Sequence, residues 1–402
     1  MNMALTQDQE LRSVCQTCPA CHAEDTVDVF NGGELPVSVG VFYDSYSEAI
    51  NAPLGKITLT FCRSCGLVFN REYDTSKDIF RPGYEVALHH SETFRKFIAG
   101  VAERLTSRFD LHGKRIVEIG CGDAYFLRAL ATSGNNHCTG IDPTVSNEGM
   151  QEVENGTVYL IRDYFGSKHQ NIETDFICCL SVLEAIPCPA PFLAAVHSLA
   201  SQSDAPLYFE VFNAWRAFQE QEVWSVHYEQ CNYFGPANLR NIFAHYGFSI
   251  GEIAACYQGD QYLFVEAISA DLPVQKSDRS DRLDVPEALL SFNQAYSEKL
   301  DLWRHRFDQY RADGDRVAVW GSGGKGITFL NTVEGAGIVE FVAEINPDKQ
   351  GKFIPGSGQK IVSPEFLAEY QPDKIIITNA LYEEEMKGQA RDLGINAEFL
   401  IA

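Results

Sequence analysis

Two stretches of this 402-residue chain impose the same constraint: an apolar strand, a glycine loop opening a helix, then a strand ending on a carboxylate. In the first, RIVEIG (115–120) runs into Gly120-Cys121-Gly122, and Asp142 closes HCTGID (137–142). In the second, RVAVWG leads into Gly321-Ser322-Gly323-Gly324-Lys325-Gly326, and Glu344 ends VEFVAEI. Small residues let a backbone approach a ligand whose charge the helix N-terminus can meet, and a carboxylate about 20 residues on can take ribose hydroxyls. Strand–helix alternation of this kind predicts an α/β protein with doubly wound parallel sheets.

The first unit extends well beyond its loop. A helical pattern over about Ser91–Asp110 precedes it; after Asp142 come VYLIRD (158–163), DFICCLSV (175–182), the helix PFLAAVHSLA (191–200) and PLYFEVF (206–212). A further helix and strand pair close the unit, and the polar run SADLPVQKSDRSDRLD (269–284) reads as a linker. The organisation expected is a zinc-binding region at 1–75, a central Rossmann-like domain at 76–268, a linker and helical segment at 269–312, and a second, smaller Rossmann-like domain at 313–402.

The 1–75 assignment rests on cysteine spacing. Five of the chain's 12 cysteines crowd the first 65 residues as CxxC-type pairs. Two such knuckles suit a tetrahedral zinc ion held by four thiolates, and four protein ligands leave no open position, so the metal would be structural. The expected ligands are Cys18, Cys21, Cys62 and Cys65; Cys15-x-x-Cys18 forms an equally valid pair, and His22 is a further donor.

Lys and Arg number 32 against 55 Asp and Glu, a net charge of −23 that repels phosphate backbones and anionic lipid. Nucleic acid and membrane surfaces are therefore not expected partners. No apolar run approaches the roughly 20 residues of a membrane span, and the opening residues do not read as a signal peptide, so a cytoplasmic protein acting on a small molecule is expected.

In the first loop Tyr125 occupies the third glycine position of GxGxxG, which argues against a dinucleotide. S-adenosylmethionine (SAM) carries no pyrophosphate, and acids after three successive strands (Glu118, Asp142, Asp163) suit it, Asp163 facing the adenine amino group. Cofactor contacts are thus expected from Glu118, Gly120, Gly122, Asp142, Asp163 and Ser181. EIGCGDAYFL, GIDP, RDYF and SVLEAI resemble a class I SAM-dependent methyltransferase. CPAC…FCRSCGLVF, VHYEQCNYFGPANL, VWGSGGKGITFLN and INPDKQGKFIPGSGQKIVSPE extend the resemblance to the three-part C-methyltransferases of deoxysugar biosynthesis. That family implies an N-terminal zinc-binding region, a central SAM domain and a C-terminal domain, acting on a nucleotide-linked ketosugar.

The resemblance also implies an active-site segment at 226–234, Val-His-Tyr-Glu-Gln-Cys-Asn-Tyr-Phe. Here Gln230 stands where the family carries a histidine thought to act as general base, leaving His227, Tyr228 and Glu229 as candidates for that role and Gln230 as a substrate contact. Tyr84 lies where the family has a tyrosine near the methyl donor, and Gly323 and Lys325 of the second loop are expected near a substrate phosphate. Because that loop matches GxGxxG fully, an NAD-dependent oxidoreductase is the rival reading; N- or O-methylation and a non-catalytic SAM-binding scaffold are others.

Overall fold

The computed structural model describes residues 17–77, 80–270 and 282–402. The N-terminal part is a sheet of β1 (Thr26–Pro36), β2 (Leu54–Cys62) and β3 (Val68–Asn70), all antiparallel. The central part begins with α1 (Glu92–Arg108), which Ser91 caps through its hydroxyl, and continues as β4 (Arg115–Ile119), α2 (Tyr125–Gly134), β5 (His137–Ile141), β6 (Gly149–Gln151), β7 (Thr157–Ile161), β8 (Phe176–Leu180), α3 (Pro189–Ala200) and β9 (Leu207–Phe212).

The chain then leaves that sheet. Strand β10 (Asn232–Tyr233) pairs with β3, Asn232 opposite Phe69 and Tyr233 opposite Val68, and so completes the N-terminal sheet from the far side of the central domain. Helix α4 (Pro236–His245) and the hairpin β11 (Phe248–Cys256) and β12 (Tyr262–Ser269) return to the central sheet, whose order is β11-β12-β9-β8-β4-β5-β7-β6. Its interior strands β7, β5, β4, β8 and β9 are parallel, and the order reverses between β4 and β8. Ligands of doubly wound sheets bind at that reversal, outside the carboxyl ends of the strands.

Helix α5 (Glu287–Asp313) leads to the last unit: β13 (Val317–Trp320), α6 (Gly324–Thr332), β14 (Val339–Ala343), β15 (Lys360–Val362), β16 (Lys374–Ile377), α7 (Glu383–Asp392) and β17 (Glu398–Ile401). Its five strands are all parallel in the order β15-β14-β13-β16-β17. Most of the polar run at 269–284 lies outside the described residues.

The cores cross the expected boundaries. One buried cluster joins Phe30 and Ile57 of the N-terminal sheet, Trp224 and Tyr233 of the central chain, and Trp303, Phe307 and Phe329 of the C-terminal half. Another packs Cys18, Cys62, Cys65 and Phe69 against Leu239 and Phe243 of α4. The three parts therefore share buried apolar surface, the main stabilising term for a fold. Among the described residues no helix is long and apolar enough to cross a membrane.

Candidate active site

A cleft of about 1020 Å³ opens where the three parts meet, larger than most small-molecule pockets. Its floor is the first glycine loop. Gly120 sits at φ 74°, and a Cβ there would lie 2.1 Å from Val182 Cγ2, so only glycine fits. Its N–H reaches across to Ile141 O (2.8 Å), and Gly122 N–H donates to Asp142 Oδ2 (2.9 Å). Ala124, the N-cap of α2, is held at φ 64°, and Ser181 at the end of β8 at φ 54°, left-handed conformations unusual for residues other than glycine.

All of the expected cofactor residues line this cleft. Glu118 is 3% exposed, its Oε2 has no hydrogen-bond partner among the described residues, and burial, with Asp123 and Asp142 nearby, holds its carboxyl well above the usual range. A cationic or N–H-rich ligand is what such a group lacks. Asp142 is only partly free: Oδ1 already accepts from Thr144 N–H and Oγ1 (both 2.6 Å), which leaves Oδ2, with one donor in place, to take a further hydroxyl. Asp163 is ion-paired through Oδ2 with Lys168 Nζ (2.5 Å). The glycine cradle, the orphaned Glu118 oxygen and the residual capacity of Asp142 fit SAM.

Across the cleft lies the segment 226–234. Glu229 is buried and held by three donors: Ser38 Oγ and Val39 N–H on Oε1 and Tyr84 Oη on Oε2, each at 2.6 Å. Burial raises its pKa despite those bonds. Tyr84 fits because Gly40 has no side chain; a Cβ there would lie 2.4 Å from the ring. Tyr84 therefore contacts the Glu229 carboxyl as well as the cleft. Gln230 is 4% exposed and its Nε2 is unpartnered among the described residues. His227 lines the cleft, but its Nδ1 is buried beside Gly324, where a Cβ would lie 3.1 Å away. Burial, with the Lys325 ammonium adding to it, lowers the imidazole pKa to about 4. Tyr228 does not join the others. It is fully buried, stacks on Tyr73 with centroids 4.9 Å apart, accepts from Asp74 N–H at 2.7 Å, and, unlike the other expected base candidates, is not among the residues lining the cleft.

The second loop is built differently. A Cβ on Gly326 would lie 2.3 Å from Gly321 O, so this glycine serves close packing of helix on loop. Glu344 accepts from Ser322 Oγ (2.5 Å) and from the N–H groups of Ser322 and Asn346. Lys325 is tied to Glu222 (2.8 Å), which is also paired with Arg216 (2.6 Å), so its charge is already neutralised. Thr328 Oγ1 donates to Val226 O (3.0 Å). Residues 222–227 thus pack on the start of α6, where a dinucleotide would place its pyrophosphate; Gly321, Gly323, Gly324, Lys325 and Gly326 line the same cleft, Gly323 being the most exposed of them.

The sulfurs of Cys18, Cys21, Cys62 and Cys65 all lie within 4.8 Å of one another, with Cys18–Cys65 and Cys21–Cys62 at 3.6 Å. A tetrahedral site with metal–sulfur bonds of about 2.3 Å spaces its sulfurs about 3.8 Å apart. Each knuckle folds alike: Cys18 O accepts from His22 N–H and Cys62 O from Gly66 N–H, both 2.9 Å, with His22 and Gly66 in the left-handed region. His22 is exposed and outside the sulfur cluster, and Cys15 lies outside the described residues.

Sequence reasoning missed Ser38 and Val39, which grip Glu229 from 191 and 190 residues away, and no local signal marks them.

Comparison with known proteins agrees with this geometry. Residues 89–253 match the methyltransferase domain family, and residues 271–401 match the C-methyltransferase C-terminal domain family. The chain is a SAM-dependent methyltransferase. Over nearly its full length it resembles the three-part C-methyltransferases: it is 22% identical over 395 residues to C-methyltransferase NovU of Streptomyces niveus, covering 94% of this chain and 93% of that one. It is also 30% identical over 110 residues to the ubiquinone biosynthesis O-methyltransferase of Aromatoleum aromaticum, covering 26% of this chain and 46% of that protein. A crystal structure of magnesium protoporphyrin IX methyltransferase from Synechocystis with bound SAM is 20% identical, with a TM-score of 0.33, covering 46% of this chain and 86% of that one.

Proposed function

We propose that this enzyme forms a carbon–methyl bond beside a ketone on a small molecule, as its likeness to C-methyltransferase NovU supports, a nucleotide-linked ketosugar being the class that the resemblance of its motifs to the deoxysugar C-methyltransferases implies. The observation that carries this reading is the Glu229–Tyr84 pair, a buried carboxyl with raised pKa bonded to a phenol at 2.6 Å, lining the same cleft as the first glycine loop.

In this mechanism Gln230 donates its free Nε2–H to the ketone oxygen and carries that hydrogen bond into the enolate. The proton beside the ketone moves to Tyr84 Oη as the phenolic proton moves to Glu229 Oε2, so the tyrosine ends neutral and the carboxyl protonated. Bound at the first glycine loop, SAM would supply an electrophilic sulfonium methyl to the enolate carbon, with S-adenosylhomocysteine as the leaving group. His227, with Nδ1 turned to the C-terminal unit, forms the cleft wall. The C-terminal unit closes one side and excludes water.

The test uses SAM with a ¹³C-labelled methyl group and a nucleotide-linked 4-ketosugar. A new methyl carbon at aliphatic C–CH₃ shift, with Glu229→Gln and Tyr84→Phe lowering turnover by about 10²–10⁴-fold at unchanged SAM affinity, is the expected result. A methyl group appearing on oxygen or nitrogen overturns it. The four thiolates Cys18, Cys21, Cys62 and Cys65 hold one structural zinc in the same proposal. Elemental analysis should find about one zinc per chain, lost in Cys62→Ser and kept in Cys15→Ser.

A further inference from the structure

Past the reversal point of the central sheet, the cleft contains a second group of polar atoms that the methyl-transfer scheme does not use. Glu210 lies on β9 and Glu184 just beyond β8. They straddle one strand edge: Phe212 N–H donates to Glu184 Oε1 (3.2 Å), and Ser181 N–H donates to Glu210 O (2.8 Å). Glu184 is 7% exposed and Glu210 2%, and both line the cleft. Neither has a cation within ion-pairing distance among the described residues; Arg104, near the Tyr208 ring, is committed to Glu266.

Their existing bonds are few. Glu210 Oε2 accepts from Tyr208 Oη (3.2 Å) and, more weakly, from Cys256 Sγ (3.7 Å), while Glu184 Oε2 has no partner among the described residues. Gln261 adds an independent observation. It is 8% exposed, its backbone carbonyl accepts from Asn213 N–H (2.9 Å) at the end of β9, and its side-chain Oε1 is unpartnered among the described residues in the same cleft. Two carboxyls and an amide among the residues lining one cleft therefore keep acceptor capacity that no described residue fills.

Desolvated carboxylates without a counter-charge are strongly disfavoured, and burial drives both of these up to about 7. A protonated primary amine carries a positive charge that offsets part of the pair's negative charge, and three N–H donors, one for each of the three groups. A hydroxyl brings one donor and no charge.

We propose that Glu184, Glu210 and Gln261 form a subsite for an ammonium group on the methyl acceptor, so that this enzyme's substrate is an amine-bearing molecule. The inference rests on the reading that this cleft takes the acceptor beside SAM, and it is independent of whether carbon, nitrogen or oxygen receives the methyl group.

The test is calorimetric titration of cyclohexylamine and of cyclohexanol into protein saturated with S-adenosylhomocysteine, at pH 8. The amine should bind at least about tenfold more tightly than the alcohol, since a charge-assisted hydrogen bond in a buried site is worth that factor or more. Glu210→Gln and Glu184→Gln should each weaken the amine by about tenfold and leave cyclohexanol unchanged, and Gln261→Leu should weaken the amine less. Both Glu→Gln variants keep shape and remove a buried charge, so they should melt no lower than the parent at pH 8. Equal binding of amine and alcohol, no binding of either, or amine binding indifferent to Glu210→Gln overturns the proposal. So does amine binding that appears only in a parallel titration without S-adenosylhomocysteine, which would assign these acceptors to the cofactor's own ammonium. Failure of the carbon-methylation reading would appear in the labelled-methyl experiment and leave this titration untouched.

Discussion

The two strand–glycine loop–helix units invite direct comparison, because they are wired alike and used differently. In each, the first loop glycine donates to the neighbouring strand (Gly120 to Ile141 O, 2.8 Å; Gly321 to Ala343 O, 2.9 Å). In each, a carboxylate past that strand accepts a loop amide, Asp142 from Gly122 and Glu344 from Ser322. Both loops line the cleft, yet the start of the helix after the complete glycine pattern is packed against His227, Val226 and Glu222, whereas the loop with the incomplete pattern carries no such cover among the described residues. A full GxGxxG reports how tightly a helix lies on its loop. Whether a ligand reaches the loop depends on what the rest of the chain packs over it.

The sharpest way to break this comparison is Gly120→Ala. Crowding against Val182 and strain at positive φ should together cost about 2–6 kcal/mol, and calorimetry should find SAM binding lost. Retained binding would show that the first loop does not cradle the cofactor.

Next in size is a pH effect on the covering residue. An unfolded His227 protonates near pH 6.5, but the folded chain keeps it neutral down to about 4. Its contribution is therefore intact above about 6.5 and is lost as pH falls from there to about 4, by up to about 3 kcal/mol. Thermal melts of the parent and His227→Gln should diverge in slope across that window and run parallel above it.

Gly326→Ala should cost about 1–3 kcal/mol by forcing a Cβ onto Gly321 O, with no change in SAM affinity. Lys325→Met should cost about 1–2 kcal/mol, since Arg216 still holds Glu222, and the loss should shrink when Glu222→Gln is added. A change in acceptor KM without a stability change would instead return Lys325 to phosphate binding. The smallest expected effect is Gly323→Ala, at φ −75° with open space around its Cβ: within about 0.5 kcal/mol by melting, with SAM affinity untouched.

On the cofactor side, β4 and β5 were legible because each run carries an acid at or next to its end, and β8 because it is an unbroken apolar run; all three lie within a residue or two of their expected limits. The knuckles were legible because CxxC spacing is set by local turn geometry. Strands β6 and β15, three residues each, are too short to show a period. Tyr228 and Glu229 are adjacent in sequence and chemically plausible alike; only packing turns one to Tyr73 and the other to Tyr84. The cover over the second loop was invisible because it is made of residues about 100 positions away, such as Glu222 with Lys325, separated by 103.

Strand β10 bears on the order in which the chain is made. The cysteine knuckles and β1–β3 leave the ribosome first, and the strand that completes their sheet follows roughly 8–30 s later at about 5–20 residues per second. Through that interval β3 offers an unpaired edge, able to recruit any extended segment emerging from the same or a neighbouring ribosome. Metal loading during synthesis would pin β2 and the first knuckle but leave that edge open. Heterologous expression should therefore be limited by events before residue 233 is translated, and slower synthesis at low temperature or a nascent-chain chaperone should raise the soluble yield more than added zinc does.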